Sequence, residues 1–175
     1  MEKIFVTFFG SGLIKPAPGT WGSIAGALVG LPVLIFLGET TLFLLAFLLC
    51  LISVKIVDKY EKITQSHDNS EIVIDEVVGV WIALSIGASA NVIFNLNLAP
   101  ILGFNSISWL AVILSVIFFR LFDILKPSVI GRIDKQVKGG LGVMLDDVAA
   151  GFFAGIGVLI VFGIMAKFSL SQLIF

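Results

Sequence analysis

The run Phe119-Arg120-Leu121-Phe122-Asp123-Ile124-Leu125-Lys126-Pro127 continues past Asp134 to Lys138-Gly139-Gly140-Leu141-Gly142-Val143-Met144-Leu145-Asp146-Asp147, and it is a polar interruption in an apolar chain. Of 175 residues, 58 % are hydrophobic and 13 % charged, with a mean hydropathy of +1.12. That composition belongs to a membrane protein, not to a soluble globule. Charges beside or inside a bilayer are costly, so a cluster of them marks a task. Arg120, Asp123 and Lys126 recur at a spacing that puts them in one leaning stripe on a helix. Asp146 and Asp147 stand where the next apolar run begins. There they suit the positive end of a helix, and adjacent carboxylates also suit a hard cation. Lys126, Arg132, Lys135 and Lys138 equally fit the ordinary loop charges that flank membrane helices.

Working outward, the apolar runs predict an all-α, small polytopic membrane protein: about five apolar helices plus an N-terminal interfacial or re-entrant segment, in one domain over 1–175. Ile4 to Ile14 is too short to span, since spanning takes roughly 20 residues. It carries Gly10-Ser11-Gly12 and leads into Pro16-Ala17-Pro18-Gly19, which read as turn chemistry. Thr20 is a fair N-cap for a first helix from Trp21 to Leu37. A second starts at Thr41 and runs past Val54 into water, where Ile52, Ile56, Tyr60 and Ile63 keep helical spacing and the charges form a solvated face. Asp68 and Glu71 look like a capping box for a third helix reaching about Phe94. On that helix Asp68, Glu71 and Asp75 would share a face, with Glu76 beside them at the edge of a long apolar run. Asn91 to Asn105 reads as a loop. Ile107 to Phe122 is the fourth helix and Val148 to Ala166 the fifth, with Gly151 and Gly155 forming a small-residue packing face.

Five spans fix which charges share a side. Lys3, Lys15, Lys55, Lys59, Lys62, Arg120, Lys126, Arg132, Lys135 and Lys138 fall together, against Lys167 alone opposite. The positive-inside rule puts the crowded side in the cytoplasm. The same parity gathers Asp68, Asp75, Glu76, Asp123, Asp134, Asp146 and Asp147 at that membrane face, as one carboxylate-rich site.

Other classes are excluded by what is missing. The formal net charge of −1 offers no basic surplus for nucleic acid. Cys50 is the lone cysteine and His67 the lone histidine, which leaves no disulfide framework, thiolate cluster or multi-histidine centre. No cleavable signal peptide is expected, because the first apolar stretch is preceded by an acid and lacks a small-residue cleavage pattern. Hard oxygen ligands favour Mg²⁺ over zinc. Mg²⁺ with Arg and Lys nearby suits phosphate chemistry, with the cations stabilising developing charge. A cysteine-based phosphatase loop and a P-loop are both absent. A small cation transporter using the clustered carboxylates is the competing class. It requires acids deep within the spans, and the apolar interiors contain none.

Four segments carry a family resemblance in order along nearly the whole chain. They are Gly10-Ser-Gly-Leu-Ile-Lys-Pro-Ala-Pro-Gly-Thr-Trp-Gly-Ser23, His67-Asp-Asn-Ser-Glu-Ile-Val-Ile-Asp-Glu-Val-Val-Gly79, Phe119 to Pro127, and Asp134 through Gly139-Gly-Leu-Gly-Val-Met-Leu-Asp-Asp-Val-Ala-Ala-Gly151. Together they resemble the phosphatidylglycerophosphatase A family, Mg²⁺-dependent bacterial membrane enzymes. Ile74 stands where that family often has an aromatic, and Val129 where it often has a second proline; neither change removes a charge. The resemblance implies hydrolysis of phosphatidylglycerophosphate, a membrane lipid, to phosphatidylglycerol and phosphate at the cytoplasmic membrane. It also implies a polar site of Asp68, Asp75, Glu76, Arg120, Asp123, Lys126, Asp134, Asp146 and Asp147. Within that set we assign Mg²⁺ to Asp75, Glu76, Asp146 and Asp147, and the phosphate to Arg120 and Lys126. Asp123 positions one of these cations or ligates metal, and Asp68 or His67 is the base.

Overall fold

A helix that is apolar on every side belongs in a protein core or in a membrane. The run Ile-Asp-Glu-Val-Val-Gly-Val-Trp-Ile-Ala-Leu-Ser-Ile-Gly-Ala from Ile74 to Ala88 is such a helix, and the fold is built around it. The computed structural model describes residues 1–65, 69–94, 96, 100–101, 104–127 and 129–173, with backbone alone for 100–101, 104–106, 134–135 and 169–173. In chain order it contains α1 (Glu2–Val6), a 3-10 turn (Ser11–Leu13), α2 (Pro18–Leu37), α3 (Glu39–Thr64), α4 (Ile74–Ala88), α5 (Ala90–Ile93), β1 (Pro100–Ile101), β2 (Phe104–Ser108), α6 (Trp109–Leu125), α7 (Val129–Gln136) and α8 (Gly140–Leu173). β1 and β2 pair antiparallel as a small hairpin. In the α4–α5 span 72 % of the apolar window is buried, against 22–33 % in the spans of α2, α3 and α8, so α4 is the hub and the others face lipid.

Among the described residues, four segments are long and apolar enough to cross a membrane: α2, α3, Ile74–Ile93 and Gly140–Phe168. α6 is slightly shorter. Its 17 residues make about 26 Å of helix, close to the roughly 30 Å of a hydrocarbon core. The protein is therefore the all-α polytopic membrane protein that its apolar runs predict.

Close packing against α4 depends on small residues, as it does where lipid removes the hydrophobic drive between helices. Gly22, Gly26 and Gly30 line one edge of α2. A Cβ on each would lie 2.5, 3.1 and 2.8 Å from Val73, Val77 and Trp81 in turn. Both series rise together, so α2 and α4 run parallel with their backbones nearly touching. The Trp81 indole N–H donates to the Gly26 carbonyl at 2.8 Å. On the far side of α4, a Cβ on Gly151 would meet the Gly79 carbonyl at 2.4 Å, and one on Gly155 would meet Ile86 at 2.5 Å. The packing face expected from Gly151 and Gly155 is thus the α4–α8 seam. α6 runs antiparallel, with Phe119 against Gly79 and Ser115 against Gly87.

The N-terminal segment does not span. Lys59 on α3 bonds Glu2 at 2.6 Å, Lys3 bonds Glu71 at 3.0 Å, and the Val73 N–H donates to the Val6 carbonyl at 2.9 Å. The Lys3 ammonium, with help from the Tyr60 hydroxyl, holds the Glu71 carboxyl below its ordinary range.

Four local expectations are corrected. Thr20 is not an N-cap: α2 begins at Pro18, with Ala17 in the capping place, because proline at the first helical position has no N–H to leave unpaired. Glu71 is not on the third helix, which starts at Ile74 with Val73 before it. Glu71 instead faces Lys3 and Tyr60, so it shares no helical face with Asp75. Asp68 and His67 lie outside the described residues. The third helix breaks at Ser89 before the short α5, and part of the expected loop from Asn91 to Asn105 is the hairpin. Finally, the last helix begins at Gly140, eight residues earlier than Val148. Asp146 and Asp147 therefore sit inside α8, about 9–10 Å along its axis from the first residue.

Candidate active site

The stripe on α6 ends abruptly. Lys126 adopts φ 43°, the left-handed region, and its N–H donates to the Phe122 carbonyl at 2.8 Å. Pro127 follows and cannot continue the helix. This stop leaves Arg120, Asp123 and Lys126 at the mouth of a cavity of about 480 Å³. The start of α2 supplies Pro18 and Gly19, the start of α4 supplies Asp75 and Glu76, and α8 supplies Asp146 and Asp147. Alternating spans bring these ends to one side of the bundle, which is how residues far apart in sequence converge.

Within the cavity the charges are sorted. Arg120 bonds Asp123 and lies 3.9 Å from the Glu76 Oε1. Lys126 bonds Asp146. Asp75 Oδ1 accepts the Glu76 N–H at 3.0 Å, and Asp146 Oδ1 accepts the Asp147 N–H at 3.0 Å. Asp75, Glu76 and Asp147 point into a common space, each offering a carboxylate oxygen within 4.8 Å of the others. Asp123 lines the same cavity. Five acids thus face two cations, and like charges this close repel strongly at low dielectric.

That trio fits a hard divalent cation. All its donors are carboxylate oxygens, the class that Mg²⁺ prefers, and opposite ligands of such an ion sit about 4.2 Å apart. The Glu76 Oε2 is buried and has no hydrogen-bond partner among the described residues, as has Arg120 Nε. A buried, unpaired carboxylate oxygen is costly unless something positive is held there. Asp75 and Glu76 also lie in the first turn of α4, where unsatisfied backbone N–H groups favour negative charge.

Of the nine site residues expected, seven meet in this cavity: Asp75, Glu76, Arg120, Asp123, Lys126, Asp146 and Asp147. Asp146 faces Lys126, whereas Asp147 faces Asp75 and Glu76. Asp134 lies on α7, which packs against α8, but its side chain is outside the described residues, as is the whole of Asp68. Two residues with a part in building the site were not foreseen. Gly19, read as turn chemistry, lies against the site itself: a Cβ there would come 2.3 Å from Glu76 Oε1 and 3.2 Å from Arg120 Nη1. Asp58, read as part of a solvated face, accepts the Gly140 N–H at 2.5 Å and so caps the start of α8 from 82 residues away. No local pattern marks either role, because in both the partner is remote in sequence.

Comparison with known proteins identifies relatives of the chain. No solved structure matches the chain. A Phosphatidylglycerophosphatase A from Haemophilus influenzae is 40 % identical over 156 residues, covering 89 % of this chain and 83 % of that protein. The Phosphatidylglycerophosphatase A of Escherichia coli is 34 % identical over 155 residues, covering 89 % and 79 %. A Bacteroides thetaiotaomicron protein, named provisionally as a phosphatidylinositol-3-phosphatase, is 32 % identical over 152 residues, covering 85 % of each. The model of one family, described as Phosphatidylglycerophosphatase A, matches residues 4–162, and with that reach this chain belongs to the phosphatidylglycerophosphatase A family.

Proposed function

We propose that the protein is a Mg²⁺-dependent lipid phosphatase that hydrolyses phosphatidylglycerophosphate to phosphatidylglycerol and inorganic phosphate. It would act in the bacterial cytoplasmic membrane with its site facing the cytoplasm. The observation that carries the reading is the sorting of charge in one cavity at the bundle's end: two cations on α6, an acidic trio on α4 and α8. The family relatives, phosphatases by name, support the reaction class and give the transporter alternative no support. The excess of Lys and Arg on the site's side of the bundle supports the orientation.

In this reading Arg120 and Lys126 bind the terminal phosphate and neutralise charge gathering on its oxygens as the ester P–O bond breaks. Asp123 orients the Arg120 guanidinium and Asp146 orients the Lys126 ammonium, so both reach the phosphate already placed. Asp75, Glu76 and Asp147 would hold the Mg²⁺, with Asp146 close by. When bound, such an ion polarises phosphoryl oxygens and lowers the pKa of water at its side. Asp68 remains the proposed general base, accepting the proton that the attacking water gives up, with His67 its alternative and Asp134 a further acid of the site. The ester oxygen leaves with the lipid, takes up a proton from water to become the alcohol of phosphatidylglycerol and stays in the bilayer, while inorganic phosphate departs to the aqueous side.

The direct test is phosphate release from phosphatidylglycerophosphate by purified protein, with and without Mg²⁺. Phosphatidylinositol 3-phosphate belongs beside it, because the Bacteroides relative's name points to that lipid. Asp75→Asn and Asp147→Asn should abolish turnover and shrink the thermal stabilisation that Mg²⁺ gives, since a ligand stabilises only the state that binds it. Variants that lose activity yet keep the full Mg²⁺-dependent shift would move the metal away from these acids.

A further inference from the structure

Two apolar hollows border the membrane-facing surface. The larger, about 800 Å³, lies between α1 and α3 and includes Ile74 and Trp81. The Val73–Val6 backbone bond, at 2.9 Å, and the close approach of Gly12 to Glu71 stand between it and the polar cavity. The smaller, about 270 Å³, is a groove between α2 and α6 lined by Ile24, Leu28, Val112, Ile113, Val116 and their neighbours. Its α6 wall lies on the same helix face as the charged residues of the active site. On α6, Ile113, Val116, Arg120 and Asp123 follow one another at helical spacing along a single face, so one stripe changes from apolar to charged as it enters the cavity. On α2, Gly19 lines the cavity, and Ile24, Ala27 and Leu28 line the groove on another face further along the helix. The groove is open to lipid: Leu28 is 65 % exposed and Ile113 50 % exposed.

We infer that this α2–α6 groove seats an acyl chain of the lipid whose phosphate is bound at Arg120, an inference that rests on the phosphatase reading above. A lipid monoester is apolar below and doubly charged above, and the α6 stripe has the same order over the same length. Ile113 lies about 10 Å below Arg120 along the helix. The groove would guide a long chain by its shape, while Arg120 at its head fixes how high the phosphate rides.

The experiment blocks the groove after the protein has folded. Ile113→Cys in a Cys50→Ala background is purified in detergent, alkylated with a bulky maleimide, and assayed with Mg²⁺ on dioleoyl and dihexanoyl phosphatidylglycerophosphate. Leu44→Cys, on the lipid-facing side of α3, is treated identically as a control, and Leu28→Trp narrows the groove without chemistry. Alkylated Ile113→Cys and Leu28→Trp should lose about tenfold or more in kcat/KM on the dioleoyl lipid, because bulk in the groove keeps a long chain from following its phosphate to Arg120, and stay within about twofold on the dihexanoyl lipid. The Leu44→Cys control should keep both activities. Equal losses on both lipids, or no loss on the dioleoyl lipid, would overturn the inference and leave the groove as a place for bulk lipid. If the unmodified protein releases no phosphate from either substrate, the phosphatase reading itself has failed, and the groove assignment with it.

Discussion

Replacing Gly19 by alanine separates catalysis from stability, and the structure sets the size of both effects. The new Cβ would lie 2.3 Å from Glu76 Oε1, where ordinary contact begins at 3.4 Å. The carboxylate must therefore retreat by about 1 Å, and a misplacement of that size in an active site costs about 10²-fold in rate. Because the clash is with the end of a side chain, the backbone need not move. Alanine is also the better helix former by up to about 1 kcal/mol, so melting should change by no more than about 4 °C. Gly22→Ala is the contrasting case. Its Cβ would meet Val73 Cβ at 2.5 Å, inside a packed seam that cannot give way, so stability should fall first. The assay is phosphate release across a Mg²⁺ titration, paired with thermal unfolding of the same preparations. Gly19→Ala should melt like the parent, turn over about 10²-fold more slowly, and need more Mg²⁺ because Glu76 has been displaced. Parental turnover with parental Mg²⁺ dependence would refute the placement of Glu76 in the working site.

Arg120→Lys should insert and fold normally yet lose about tenfold or more in turnover, since an ammonium cannot reproduce the planar fork that bonds Asp123 and, in the proposed reaction, would bond the phosphate as well; near-parental kinetics would return Arg120 to the role of a flank charge. Single cysteines replacing Glu39 and Lys62 in a Cys50→Ala background should differ in intact cells, with an impermeant thiol reagent reaching position 39 and not 62. Labelling of position 62 from outside would reverse the orientation. Asp58→Asn should lower stability by about 1 kcal/mol, the usual worth of a helix cap, because the Gly140 N–H loses a charged acceptor. An unchanged melting temperature for that variant would show that water caps α8 equally well.

The spans, their approximate number and the side on which the charges gather were legible in the sequence. Hydropathy acts locally: a run such as Trp21 to Leu37 is driven into lipid whatever its neighbours do, and parity then assigns Arg120, Asp75 and Asp147 to one face. What each charge meets was decided only by tertiary structure. Adjacent residues on a helix point about 100° apart, and here Asp146 and Asp147 meet different partners. Which of them turns to Lys126 and which to Asp75 and Glu76 depends on how α8 is rotated against α4. That rotation is set by the contact of Gly79 with Gly151 and by Asp58 gripping Gly140. The true starts of α4 and α8 were hidden for the same reason. Val73 is held by Val6, and Gly140 by Asp58, and such partners carry no local signature. Gly19 resembles any turn glycine until Glu76 and Arg120 are brought against it, at which point the absence of a side chain becomes the shape of the site.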